Sequence, residues 1–212
     1  MTMTKKPTAP PVMPKKASSQ GLKPATDIAS LMTSEQVTAV KSQQGVMRLL
    51  NGYSASVIEQ VQRHIEDNSL ASLLLSRHPV IHDVRTDKAL YDYTLGFKNQ
   101  FMRQSDPLAK VIYDEKITLT HQALGLHSFV NRVQGNKVKA KNEIRISSRL
   151  KRIPEPLLRM VVIHELAHLR EKEHNKAFYK LCEFMLSDYH QLEFDLRLLL
   201  ICEQLGQSPY EA

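Results

Sequence analysis

Residues His164-Glu165-Leu166-Ala167-His168 constrain this chain more than any other stretch. On a helix, side chains four apart lie one above the other, so the two imidazoles share a face. Such a pair fills two corners of a zinc tetrahedron, while Glu165 flanks a corner left open for water. That is the HExxH pattern of zinc hydrolases. Leu157, Leu158, Met160, Val161, Val162, Ile163, Leu166, Ala167 and Leu169 surround it, so the helix is apolar on nearly every face and should be buried. Burying two imidazoles and a carboxylate is costly unless a cation offsets them.

A third ligand has to come from further along. His174 would point to the wrong side of a continuous helix, so the chain is expected to turn after about Lys172 and bring it back. Glu183, Asp188 and His190 are the downstream alternatives. Metal-bound imidazoles need their second nitrogen held, and Asp188, with Glu183 one turn earlier, is the carboxylate placed to do so. The competing reading makes Asp188 only the cap of the last helix. Cys182 and Cys202 lack a CxxC partner and read as buried thiols. His78 and His82 share no ligand spacing with each other or with a glutamate.

The net charge of +7 suggests a polyanion partner, but Lys5, Lys6, Lys15, Lys16 and Lys23 all precede the first acidic residue, Asp27. Charge alone therefore does not argue for nucleic acid. A second basic cluster follows Asp106-Pro107, where β-branched alternation replaces helical spacing. Arg132, Lys137, Lys139, Lys141, Arg145, Arg149, Lys151 and Arg152 stand there against Glu143, a possible weak contact for nucleic acid or an anionic substrate. No apolar run is long enough to span a bilayer and no signal-peptide core is visible, so no membrane partner and a cytoplasmic location are expected.

Residues 1–32 read as a disordered, basic, Pro-rich tail, 33–105 as a helical region, and 106–212 as a zinc metallohydrolase core. In the middle section a helix to about Leu50, a helix or helix pair broken near Asn68, and a helix from about Lys88 to Arg103 are expected. Three or four short strands follow: AKVIY, KITLT, GLHSFVNRV and NKVKAKNEIRIS, the last two joined by a turn at Gln134-Gly135-Asn136. Pro156 suits the first turn of the HExxH helix, Asn175 can cap the next, and a final helix runs to about Leu205. The fold class is α+β: a helical N-terminal half, a small antiparallel-rich sheet packed on the HExxH helix, and C-terminal helices.

The run HELAHLREKEHNKAF, preceded by SSRLKRIPEPLLRMVVI, resembles the YgjP-like metallopeptidase-like proteins, relatives of the SprT type of minimal gluzincin-like proteases. The resemblance covers roughly residues 80 to 205, and His164, Glu165, His168, His174 and Phe178 fit the family pattern HExxHxxxxxHxxxF. It implies zinc ligation by the three histidines and general-base catalysis by Glu165. A glycine in the metzincin pattern is Glu171 here, which argues against that group. Proteins of the YgjP group have also been assigned nucleotide pyrophosphatase activity. The leading expectation is a zinc metallopeptidase acting on peptide or protein. The alternatives are a metal-dependent nucleotide pyrophosphohydrolase and a non-catalytic, zinc-stabilised nucleic-acid-binding module.

Overall fold

The computed structural model describes residues 44–117, 125–134 and 137–210, the backbone alone for 125–134 and 137–141. The expected tail, the start of the first helix, the hairpin turn at Gly135-Asn136 and most of KITLT lie outside these residues. Of the described part of KITLT, Lys116 and Ile117 are not in a strand.

Helical residues 44–49 lead to α1, Ala55–Glu66, whose first turn is capped by Ser54 accepting from the Val57 amide. The break expected near Asn68 is real: this residue takes φ 52°, a left-handed value asparagine tolerates, and α2, Leu70–Arg77, follows. Thr86 caps α3, Asp87–Phe101. Val61, Leu70, Leu74 and Leu90 turn inward from these helices and join one core with the C-terminal half.

Strands β1 (Leu108–Asp114), β2 (Gly125–Gln134) and β3 (Lys137–Ser147) form one sheet in the order β1-β3-β2. The β2/β3 hairpin is antiparallel, as the sequence suggested, but β1 pairs with β3 in parallel, so the sheet is mixed. Alternation gives a strand's inward face and not its neighbour's direction, which tertiary packing decides. Here β1 is tied to the start of α3: Tyr113 donates its amide to Asp87 Oδ1 and its hydroxyl to the Val84 carbonyl. Val111, Tyr113, Ile144 and Ile146 are buried.

A 3-10 turn, Ser148–Arg152, leads into α4, Glu155–Ala167, with Pro156 in its first turn. Nine of the thirteen α4 residues are buried, so this helix is the centre of the core. Around it pack α5, Lys176–Met185, and α6, Tyr189–Gln204. Cys182 and Cys202 are buried free thiols. Asp195, on α6, is 1% exposed and accepts from Arg77 Nη1 (2.6 Å), His78 Nε2 (2.8 Å) and Gln191 Nε2 (2.9 Å). Tyr210 closes the same end by donating to the carbonyl of His78. Among the described residues no helix is long and apolar enough to cross a membrane.

Candidate metal centre

Helix α4 ends at Ala167 with His168 as its C-cap, earlier than the turn expected after Lys172. His168 keeps helical dihedrals (φ −63°, ψ −15°), so it still stacks one turn above His164. The chain reverses through residues 168–175 and re-enters a helix at Asn175, whose Oδ1 accepts from the amides of Ala177 and Phe178. That cap fixes the residue before it, His174, and sets Phe178 in the first turn of α5. The Phe178 ring is fully buried, with its centroid 4.9, 4.7 and 4.8 Å from the imidazoles of His164, His168 and His174. It is the floor on which the three rings stand.

His174 Nε2 lies 3.1 Å from Nε2 of both His164 and His168. The ligand atoms of the three histidines all fall within 4.8 Å of one another. His168 Nδ1 faces the Glu171 carbonyl at 3.0 Å, and a carbonyl only accepts, so Nδ1 carries the proton and Nε2 presents a lone pair. His164 Nδ1 is held 2.6 Å from the Tyr189 hydroxyl. Burial and the neighbouring rings of His168 and His174 push the His164 pKa down to about 3, and burial chiefly lowers that of His168, so both are neutral imidazoles near neutrality.

Three imidazole nitrogens crowd one point, and a cation lying between them would take up the lone pairs they bring together. A tetrahedral zinc with bonds of about 2.0–2.1 Å sets its nitrogen ligands roughly 3.3 Å apart, close to the spacing seen. The residues present therefore fit a divalent metal. Glu165 is 3% exposed, and its Oε2 has no hydrogen-bond partner. Burial raises its pKa to about 8, so this carboxylate too lacks the charge that would settle it. Among the described residues the cluster has three members, the ligand number of an open site rather than the four of a closed structural one.

The other candidates do not join the cluster. Glu183 is exposed and pairs with His190 at 3.0 Å. Asp188 is exposed, and neither expected role appears: its side chain makes no capping bond and the contact to His164 belongs to its neighbour, Tyr189. A carboxylate is the usual partner of a ligand imidazole, but at this helix break the partner is a buried tyrosine hydroxyl. Burial raises the Tyr189 pKa and keeps the hydroxyl protonated; it is also hydrogen-bonded to Cys182. His78 is committed to Asp195, and His82 donates from Nε2 to the Leu150 carbonyl.

The basic strand is partly spoken for. Arg145 bridges Asp114 and Glu143 at 2.8 Å each, Arg149 faces Glu203 at 3.5 Å, and Lys151 lies over the Tyr113 ring. The side chains of Arg132, Lys137, Lys139 and Lys141 lie outside the described residues.

An HExxH helix with a third histidine returned by the following turn, on an α+β fold, defines a metal-dependent hydrolase site. A family model described as YgjP-like, metallopeptidase domain, matches residues 112–198. A curated relative, UTP pyrophosphatase from Escherichia coli (strain K12), is 54% identical over 159 residues, spanning 75% of this chain and 95% of the relative. The chain belongs to the YgjP-like family. No solved structure matches it.

Proposed function

We propose that the chain is a zinc-dependent hydrolase of nucleoside triphosphates, converting UTP and water to UMP and pyrophosphate. The observation that carries this reading is the 54% identity to the UTP pyrophosphatase across 95% of that protein. His164, His168 and His174 would hold the ion. When bound, a divalent ion lowers the pKa of water and offsets charge on the attacked group. Glu165 takes a proton from the attacking water on its carboxylate; the water oxygen joins the α-phosphorus and the bond to the β-phosphate breaks. Its buried setting favours proton uptake, which suits a general base working near neutrality. Tyr189 and the Glu171 carbonyl hold the histidine rings in orientation. Two buried free thiols and a nucleotide substrate suit a cytoplasmic setting.

The peptidase reading has its own support in the family's description as a metallopeptidase domain. Under it the same Glu165 passes its proton to a leaving amine. Zinc-loaded protein incubated with UTP and, separately, with a peptide library distinguishes the two. Release of UMP and pyrophosphate that is lost in Glu165→Gln is expected. Peptide cleavage without UTP turnover would overturn the nucleotide reading in favour of the peptidase.

A further inference from the structure

We propose that the cleft between the end of α3 and the turn after α4 binds the phosphates of the nucleotide, an inference that rests on the pyrophosphohydrolase reading above. The cleft holds about 640 Å³, within the usual range for small-molecule sites. Gln100, Arg103, Gln104, Ser105 and Asp106 line it from α3 and the residues after it, and Arg170 from the turn. Arg170 is two residues beyond His168, so the cleft opens at the histidine end of α4. Tyr93, midway along α3, donates to Glu155 at the start of α4, and the residues ending α3 share this cleft with those following α4. The two helices thus run in the same sense, and α3 ends beside the turn that follows His168.

The positive charge in the cleft exceeds the negative. Among the described residues neither Arg103 nor Arg170 has a carboxylate at ion-pair distance, although Asp106 shares the cleft. Arg103 spends only Nε, on the Asn99 carbonyl. Close to the wall, Lys98 is 5% exposed, and its ammonium donates to the Ser105 carbonyl at 3.1 Å, with no acid at ion-pair distance among the described residues. Two guanidiniums therefore share the cleft with a single carboxylate, and a buried ammonium without a counter-charge close to its wall favours an anion nearby. Guanidinium forks match phosphate oxygens in pairs, and the glutamines and serine add neutral donors. By contrast, Arg145 and Arg149 on the basic strand and its exit are already matched by acids of the fold.

Calorimetric titration with UTP and with tripolyphosphate tests this in a zinc-loaded Glu165→Gln background, where binding is read without turnover. Arg103→Ala and Arg170→Ala are compared with the parent and with Arg63→Ala, which removes the same charge from an exposed site on α1. Each cleft variant is expected to weaken both ligands about tenfold or more, with Arg170→Lys recovering part of the loss. Arg63→Ala is expected to stay within about twofold of the parent. Cleft variants that bind like the parent overturn the inference, as does an equal loss in Arg63→Ala, which would reduce the effect to net charge. Wild-type protein that hydrolyses UTP alongside unaffected cleft variants removes the cleft alone. A parent that does not bind UTP, together with wild-type protein that does not hydrolyse it, removes the pyrophosphohydrolase reading and the cleft with it.

Discussion

The hydroxyl of Tyr189 lies 2.6 Å from Nδ1 of His164, and the two rings are nearly parallel at 13°. With His164 Nε2 given to a metal, Nδ1 carries the proton and donates to this oxygen, which fixes the ring's tautomer and direction. Tyr189→Phe is therefore expected to lower zinc affinity about 10- to 100-fold, read by competition with a chromogenic chelator. Asp188→Asn next door leaves affinity unchanged. If the two variants bind zinc equally well, Tyr189 has no part in holding the metal.

His174 is the exposed member of the triad, so its removal tests ligation with little risk to the fold. His174→Ala is expected to reduce bound metal from about one equivalent per chain to well below one, by elemental analysis after dialysis. Its metal-free melting temperature stays near that of metal-free wild type, since few buried contacts are lost. Full metal retention would take His174 out of the ligand set.

Glu165 is assigned the proton transfer and not metal ligation. Glu165→Gln keeps the shape of the side chain, retains zinc, and is expected to lower turnover about 10²- to 10⁴-fold. A variant that loses zinc along with activity would instead make the carboxylate a determinant of metal binding.

His82 makes two hydrogen bonds that only the neutral ring can make together: Nε2–H donates to Leu150, and Nδ1 accepts from the Val84 amide. Burial lowers its pKa below 6.5, outweighing the opposing pull of the Leu150 carbonyl. Because the folded value is the depressed one, its stabilisation is present above the unfolded pKa of about 6.5 and is lost as pH falls through the folded value. In urea melts, wild type should lose stability from about pH 7 to about pH 5 more steeply than His82→Gln. Parallel slopes would show that His82 does not report on acid.

Asp195 answers three donors from a fully buried position. Removing it strands His78, while Arg77, 42% exposed, turns out to solvent. Asp195→Ala is expected to cost about 3 kcal/mol in chemical denaturation, the lower end for a broken buried pair. A cost within about 0.5 kcal/mol, typical of surface changes, would contradict this role.

Local physics made much of the site readable from the chain alone. The i, i+4 geometry of His164 and His168, the need for a turn before His174, and the Asn175 cap all depend on residues within about one or two helical turns. What escaped depends on distant partners. His78 and His82 find theirs 117 and 68 residues away, and the parallel pairing of β1 with β3 has no signature in alternation. Helix α4 stops at Ala167 although Leu169 to Lys172 carry no breaker; helix propensity alone would extend it.

The bonds from Arg77 and His78 to Asp195 also set an order of events during synthesis. At about 5–20 residues per second, the 117 residues between His78 and Asp195 take roughly 6 to 23 s to emerge. For that interval α2 has neither the acid that accepts from its C-terminal end nor the helix that covers Leu70 and Leu74. The earliest helices of the described chain are thus among the last to be secured, and the nascent protein presents their apolar faces to the cell until α6 has left the ribosome.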